Sequence, residues 1–157
     1  MSLFRISIFG FRLLFSDCSV VWRDQKGRYK LAGELILIIE DNEKNRKLCR
    51  DVLQVKGYQT IESETAEEGL KLTLEKSPAL ILMDIQLPGM NGITAMKELK
   101  ADARTKSIPI VAITASAMTN NRTSMLAEGF DGYQTKPISL KDFFGEVERV
   151  LAARGKP

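Results

Sequence analysis

From residue 35 onward, the chain alternates short apolar runs with longer amphipathic segments. The apolar runs hold four to six residues, and the most apolar of them are typical of strands buried on both faces of a sheet. The segments between them repeat apolar residues at helical spacing. Five such alternations over about 120 residues predict an open parallel α/β sheet with helices on both faces and right-handed crossovers.

The element boundaries follow from this pattern. Asn42 is a suitable N-cap for the first helix, and Gly57 is a natural stop after it. Strands are predicted at residues 35–39, 58–61, 79–83, 108–113 and 130–134, and helices at 42–56, 65–76, 93–100, 119–128 and 140–153. Apolar spacing places on the inward side of these helices Leu48, Cys49, Val52, Leu53 and Val55 in the first, Ala66, Gly69, Leu70, Thr73 and Leu74 in the second, and Phe143, Phe144, Val147, Val150 and Leu151 in the last.

Polar side chains stand where the predicted strands end. Glu40 and Asp41 follow the first strand and Asp84 follows the third, whereas Thr114 and Lys136 follow the fourth and fifth. Taken singly, each has an ordinary explanation: acids that cap a helix or a turn, a strand-end threonine, or a solvated lysine. Because ligands bind outside the carboxyl ends of the strands in such sheets, we expect these side chains to form one site.

The charges of that site indicate its chemistry. Three carboxylates held close together need a cation, since like charges disfavour one another's ionised form. Mg²⁺ (or Mn²⁺) is suitable because it prefers oxygen ligands and keeps several waters. An aspartate beside such an ion can act as a nucleophile and accept a phosphoryl group. Lys136 would supply a charge for one phosphoryl oxygen and Thr114 a hydroxyl donor for another, with main-chain amides after Asp84 as further donors.

The composition excludes several other kinds of site. The chain has no histidine, which rules out His-ligated metals and histidine acid–base catalysis. The two cysteines, Cys18 and Cys49, have no metal-ligand spacing, and Cys49 is expected to be a small core residue. Residues 1–33 carry a net charge of +4 and residues 34–157 a net charge of −1, so the predicted domain gives no reason to expect nucleic-acid binding.

The N-terminal segment is apolar but interrupted by charges. Its longest uncharged stretch, residues 6–11, has six residues, far fewer than the roughly 20 of a membrane span, so no span is expected. No clear signal peptide is present either. Residues 23–34 are predicted to be a polar linker. Residues 1–33 are interpreted as an extension outside the domain, either non-native or disordered, or else an amphipathic arm that contacts a partner, a membrane surface or a second copy of the chain.

Four motifs in order carry a family resemblance: ILIIEDNEKNRKL from Ile36, LILMDIQLPGMNG from Leu80, ITASAM from Ile113 and DGYQTKPIS from Asp131. With them the chain resembles the receiver domains of two-component response regulators over residues 34–154, leaving a short tail at 155–157. It is especially similar to DivK-type single-domain regulators and to receivers fused to hybrid histidine kinases. The resemblance implies a flavodoxin-like fold with five parallel strands in the order 2-1-3-4-5.

The resemblance also implies the roles at the metal and phosphorylation site. Asp84 is similar to the phosphoacceptor of the family and would contact the metal as well. Asp41 would be a direct acidic ligand, and Glu40 would act on the metal through a water molecule. The backbone carbonyl of Gln86 would be a further ligand of Mg²⁺.

Other positions correspond to the switch of the family. Thr114 would move toward the phosphoryl group, and Lys136 would bind one of its oxygens. The ring of Tyr133 would turn inward as Thr114 moves, and the Lys136–Pro137 bond would be cis. Residues 119–153 would form the surface that changes its affinity for a downstream protein.

The implied function is that of a cytoplasmic signalling phosphoacceptor rather than a turnover enzyme. The donor would be a phosphohistidine on a histidine kinase or a histidine phosphotransfer protein, and the chain would be a monomer or a weak dimer. Because only four residues follow Ala153, the expected output is a protein contact. A receiver that docks without ever being phosphorylated stays open as an alternative.

Two enzyme or cofactor families with similar architecture fit less well. A flavin-binding flavodoxin needs a Ser/Thr/Gly-rich phosphate loop after the first strand, where this chain has the acidic run from Glu40 to Glu43. A phosphatase of the haloacid-dehalogenase type needs a second aspartate two residues after the nucleophile, where this chain has Gln86.

Overall fold

The computed structural model describes residues 33–115 and 122–154 in full. N-terminal to them it describes the backbone of short strands at Ser7–Ile8, Phe11–Arg12, Leu14–Ser16, Ser19–Arg23 and Tyr29–Ala32. The first two of these pair antiparallel, and the other three form an antiparallel sheet in chain order. Tyr29–Ala32 is therefore a strand within the stretch expected to be a linker. The domain boundary at residue 33 stays a prediction, and the tail at 155–157 lies outside the described residues.

Ten elements follow in strict alternation of strand and helix. They are β1 Leu35–Ile39, α1 Glu43–Val55, β2 Gln59–Ser63, α2 Ala66–Lys76, β3 Leu80–Asp84, α3 Gly92–Ala101, β4 Ile110–Thr114, α4 Arg122–Glu128, β5 Gly132–Thr135 and α5 Leu140–Ala153. All neighbouring strands of this sheet are parallel, and their order is 2-1-3-4-5. The predicted flavodoxin-like α/β architecture is confirmed. In the part of the chain that is described, no helix has both the length and the apolarity that crossing a bilayer requires.

Alternate residues of the central strands pack on opposite faces of the sheet. Leu37 and Ile39 belong to the core beneath α2, α3 and α4, whereas Ile36 and Ile38 belong to the core beneath α1 and α5. All four side chains are fully buried, and each such burial contributes about 2 kcal/mol. Because both faces are covered, β1 has no polar position, which is why its sequence is a continuous apolar run.

The helix boundaries depend on specific capping residues. The Asn42 side chain accepts hydrogen bonds from the main-chain amides of residues 44 and 45, at 3.0 and 3.2 Å. Thr65 and Asn91 cap α2 and α3 in the same way. Gly57 follows α1 with a φ of +84°, a conformation that favours glycine. The predicted cap at Asn42 and the predicted stop at Gly57 are therefore confirmed.

Four strands begin one or two residues later than predicted. Tyr58 does not start β2, because its N–H donates to the Leu53 carbonyl (3.2 Å) and closes the end of α1. Likewise, the Ile108 N–H closes a turn on Thr105 (2.9 Å), and Pro109 has no N–H to donate, so β4 begins at Ile110. Residues 119–121 of the predicted fourth helix lie outside the described residues, and α4 begins at Arg122.

The inward sides of the helices are narrower than the apolar spacing suggested. Val55 is 85% exposed, Leu48 41% and Leu74 43%, so their predicted inward placement is wrong. In α1 the buried face runs along Arg46, Cys49 and Leu53. Leu48 is one residue from Cys49, about 100° around the helix, and Val55 is two residues from Leu53, about 200°, so both side chains lie off the buried face. The other predicted inward residues are buried or partly buried: Cys49, Val52, Leu53, Ala66, Gly69, Leu70, Thr73, Phe143, Phe144, Val147, Val150 and Leu151.

Candidate functional site

The carboxyl ends of the strands bring the predicted polar residues to one edge of the sheet. Hydrogen bonds continue the sheet past the strand ends, from the Lys136 N–H to the Thr114 carbonyl (2.8 Å) and from the Glu40 N–H to the Ser63 carbonyl (3.1 Å). Asp84 is itself the last residue of β3. Residues separated by 96 positions in sequence are thereby held side by side.

Three carboxylates and one ammonium group form the centre of this edge. Oxygens of Glu40, Asp41 and Asp84 lie within 4.8 Å of one another. Glu40 and Asp84 are buried, whereas Asp41 is exposed. Lys136 Nζ lies 2.5 Å from Asp84 Oδ2 and 2.7 Å from Glu40 Oε2. The first contact is a hydrogen bond, whereas Glu40 Oε2 makes no hydrogen bond of good geometry with any described residue, so its contact with Lys136 is one of charge.

Burial and contact with an opposite charge shift the pKa values of Glu40 and Lys136 in opposite directions. Burial raises the pKa of the Glu40 carboxyl above its ordinary value of 4.5; contact with Lys136 opposes this rise, and the charge of Asp84 adds to it. Burial lowers the pKa of Lys136, but its contacts with Asp84 and Glu40 outweigh that effect and leave the pKa above 10.5. Lys136 is therefore charged at neutral pH, whereas the ionised form of Glu40 is poorly stabilised by the protein alone.

The cluster fits a hard divalent cation. Its three carboxylates and one ammonium carry a net charge of −2 when all are ionised, which a divalent ion would offset. All the acidic donors are oxygen atoms, the ligand type that Mg²⁺ and Mn²⁺ prefer. Asp41 is exposed, so an ion bound there could keep several waters, as Mg²⁺ usually does. Both the donor set and the charge thus agree with the predicted metal.

The loop after β3 closes tightly around Asp84. The Gln86 N–H donates to Asp84 Oδ1 (2.9 Å), which leaves Oδ2 for Lys136. The Gly92 N–H donates to the Ile85 carbonyl (3.1 Å), and a Cβ at residue 92 would lie only 2.2 Å from the Asp84 carbonyl oxygen. Glycine at position 92 is therefore required by this close approach. The role of the Gln86 carbonyl as a metal ligand stays a prediction.

The predicted switch residues lie on β4, which pairs with β3, and on β5, which pairs with β4 at the edge of the sheet. Thr114 is fully buried at the end of β4. Tyr133 lies on β5, and its side chain packs against the core beneath α2, α3 and α4. The Tyr133 hydroxyl is buried and has no hydrogen-bond partner among the described residues. The Lys136–Pro137 bond is cis. The movement of Thr114 and Tyr133 stays a prediction.

Arg46 supports the site and was not identified from the sequence. This buried residue of α1 donates from Nη1 to the main-chain carbonyls of Glu40 (2.8 Å) and Asp41 (3.2 Å). Its other contacts are with Glu64 Oε1 (2.7 Å) and Glu62 Oε2 (3.4 Å), which lie on or just after β2. Arg46 thus fixes the backbone that carries two of the acids. Its position three residues before Cys49, on the inward side of the predicted helix, is the feature of the sequence that indicates a buried arginine.

Comparison with known proteins gives a consistent family match. The family model described as the response regulator receiver domain matches residues 36–148. The polar-differentiation response regulator DivK from Brucella ovis is 41% identical over 116 residues, which cover 74% of this chain and 94% of the relative. DivK from Brucella anthropi matches with the same identity and coverage.

Solved structures of receiver domains have the same fold. One is the receiver domain of a sensor histidine kinase from Pseudomonas aeruginosa, with a magnesium ion coordinated in its active-site cleft; it is 28% identical with a TM-score of 0.71 over 77% of this chain and 99% of that one. Another is the signal receiver domain of a histidine kinase from Syntrophus aciditrophicus, 26% identical with a TM-score of 0.72 over 79% of this chain and 94% of that one.

Proposed function

This chain belongs to the response regulator receiver domain family, and on that premise we propose that Asp84 accepts a phosphoryl group from a phosphohistidine with the help of Mg²⁺. The observation that carries the proposal is the cluster of Glu40, Asp41 and Asp84 with Lys136 at the carboxyl edge of the sheet. A magnesium ion coordinated in the active-site cleft of the Pseudomonas aeruginosa receiver supports the choice of metal.

In the proposed step, an Asp84 carboxylate oxygen forms a bond to phosphorus while the phosphorus–nitrogen bond of the donor breaks. The imidazole leaves with the electron pair of that bond and takes up a proton from solvent. Glu40, Asp41, Asp84 and the Gln86 carbonyl would hold the metal, which offsets negative charge on the phosphoryl oxygens when it is bound. The protein itself aligns the acceptor, because hydrogen bonds from Gln86 and Lys136 fix the Asp84 carboxylate.

Lys136 has two successive roles in this proposal. Before transfer, its ammonium neutralises part of the charge of two buried carboxylates, Asp84 and Glu40. Bond formation to phosphorus removes the charge of the attacked carboxylate and brings the anionic phosphoryl oxygens close to the ammonium. The ammonium then favours one of those oxygens over Asp84, and the Thr114 hydroxyl donates to another.

Phosphorylation of Asp84 would change the conformation of the domain. A phosphoryl group adds a charge of about −1.5 to −2, which attracts Thr114 toward Asp84. Tyr133 would follow, because its buried hydroxyl has no hydrogen-bond partner among the described residues, and an unsatisfied hydroxyl costs about 1–3 kcal/mol that a new partner could recover. The surface at residues 119–153 would then bind a downstream protein with altered affinity.

The partners follow from the same chemistry. The phosphoryl donor would be a histidine kinase or a histidine phosphotransfer protein, and a receiver that meets its kinase domain would act in the cytoplasm. We propose that the chain functions as a monomer or a weak dimer. We also propose that the chain catalyses only its own phosphorylation and dephosphorylation and has no separate substrate.

Intact-mass spectrometry tests the proposal. After incubation with Mg²⁺ and acetyl phosphate, the chain should gain one phosphoryl group, and both Asp84→Asn and removal of Mg²⁺ should abolish the gain. Asp142→Asn, which alters an exposed acid in the first turn of α5, is the matched control and should label like the parent. Equal labelling of Asp84→Asn would contradict the assignment. Absence of labelling from both acetyl phosphate and a phosphohistidine donor would favour the docking-only alternative.

A further inference from the structure

Glu146 is a buried carboxylate that the proposed phosphoryl chemistry does not use. It lies on α5 and is 8% exposed. Its Oε1 accepts a hydrogen bond from the main-chain N–H of Tyr133 (2.9 Å). A Cβ at the preceding residue, Gly132, would lie 2.8 Å from that same oxygen. The absence of a side chain at residue 132 therefore leaves the space in which the carboxylate reaches the backbone of β5.

Two arginines complete the surroundings of this carboxylate. Arg149, one turn further along α5, donates to both oxygens at 2.9 Å. Arg122 lies 3.1 Å from Oε1 and 3.4 Å from Oε2, and it is the first residue of α4. One carboxylate thus connects three elements: α5 through its own backbone, β5 through Tyr133, and α4 through Arg122.

The charged form of Glu146 is the stable one. Burial alone would raise its pKa, but hydrogen bonds from Arg149, the Tyr133 amide and Arg122 outweigh burial and lower the pKa from 4.5 to about 2. The carboxylate is therefore ionised at neutral pH, and the contacts with both arginines are charge-assisted.

We propose that Glu146 is a positioning residue of the switch, which couples the start of α4 to the backbone of Tyr133. This inference rests on the proposed function. Thr114 pairs with Thr135 of β5, two residues beyond Tyr133. A shift of Thr114 toward a phosphoryl group would therefore also displace β5, and Glu146, which contacts both the Tyr133 N–H and Arg122, would couple that displacement to the start of α4.

Hydrogen–deuterium exchange with and without Mg²⁺ and acetyl phosphate tests the coupling. In the parent chain, phosphorylation should change the exchange of α4, residues 122–128, together with that of the Tyr133 amide. In Arg122→Gln and in Glu146→Gln, the change in exchange at α4 on phosphorylation should be about threefold smaller than in the parent. This factor corresponds to the loss of one partly exposed ion pair. Asp84 should still be phosphorylated to the parent level, because neither residue contacts the phosphorylation site.

Arg149→Gln is the matched control, since it removes a Glu146 contact from the same helix but leaves the connection between α4 and β5. It should keep the parent response at α4, and the double variant Arg122→Gln/Glu146→Gln should be no worse than either single variant. Arg122 is half exposed, so its variant should fold even if Glu146→Gln does not. Parent-like responses at α4 in phosphorylated Arg122→Gln would overturn the inference alone. Failure of the parent chain to become phosphorylated would instead overturn the proposed function, and this inference with it.

Discussion

The Glu146 carboxylate should stabilise the fold at neutral pH and lose that effect in acid. Its folded pKa of about 2 lies below the ordinary value of 4.5 that the unfolded chain would have. A group with a depressed folded pKa contributes stability above its unfolded pKa, and that stability is lost as the pH falls through the folded pKa. The window is therefore between about pH 4.5 and pH 2, and the informative substitution is Glu146→Gln, which keeps an acceptor for the Tyr133 amide but removes the charge.

The size of the effect follows from the same difference in pKa. A lowering from 4.5 to about 2 corresponds to about 3 kcal/mol. The side chains of Arg122 and Arg149 are 49% and 47% exposed, so solvent screens part of their interaction with Glu146. We therefore expect Glu146→Gln to lower the free energy of unfolding by about 1.5 kcal/mol at pH 6.5. By pH 3 more than about half of this contribution should be lost, which reduces the deficit to below about 0.7 kcal/mol.

Urea unfolding followed by circular dichroism at pH 6.5 and pH 3 measures both values. Asp142→Asn on the same helix is the control, and as an exposed substitution it should cost less than about 0.5 kcal/mol. A Glu146→Gln variant as stable as the parent at pH 6.5 would contradict a stabilising role for the carboxylate. So would a deficit that is the same at both pH values, because it would reflect lost packing rather than lost charge.

Three further predictions concern the phosphorylation site. Gly92→Ala should lower the free energy of unfolding by about 2–3 kcal/mol in urea unfolding, because the added Cβ would clash with the Asp84 carbonyl. The control Gly145→Ala, which has open space around it in α5, should raise the free energy of unfolding by about 0.5–1 kcal/mol. Similar values for both variants would contradict the close approach at Gly92. Lys136→Met should cost about 3 kcal/mol at pH 7 without metal, because two buried carboxylates lose their counter-charge, and Mg²⁺ should restore part of the loss; an unchanged unfolding curve would count against the ion pairs. Asp41→Asn, at an exposed position, should change the free energy of unfolding by less than about 0.5 kcal/mol. Titration calorimetry should show Mg²⁺ binding weakened by about tenfold or more. An affinity for Mg²⁺ equal to that of the parent would exclude Asp41 as a ligand.

The parts of the fold that local chemistry determines were predictable from the sequence. The apolar run at β1 has no polar position, so only a strand covered on both faces fits it. Asn42 and Gly57 specify the ends of α1 through their own side-chain and backbone preferences. Because ligand sites of parallel sheets lie at the carboxyl ends of the strands, Glu40 and Asp84 could be predicted to lie together. In the structure both contact Lys136.

What depends on distant partners could not be read from the sequence. Val55 continues the apolar spacing of α1, but its exposure is decided by where α5 and the sheet lie, not by its neighbours in the chain. In the sequence, Arg46 and Glu146 cannot be distinguished from ordinary charged residues of the surface. Their burial is tolerated only because partners far along the chain meet them, the Glu146 contact with Arg122 spanning 24 residues. A sequence lists such charges without stating which of them will pair.

Covalent attachment of the phosphoryl group to Asp84 can be detected by chemical trapping. The chain is incubated with Mg²⁺ and a phosphohistidine donor and then reduced with borohydride, which converts an aspartyl phosphate to homoserine, before peptide mass spectrometry. Homoserine is expected at position 84, dependent on Mg²⁺ and absent without the donor. Homoserine at another aspartate, or an unmodified Asp84 in a phosphorylated chain, would contradict it.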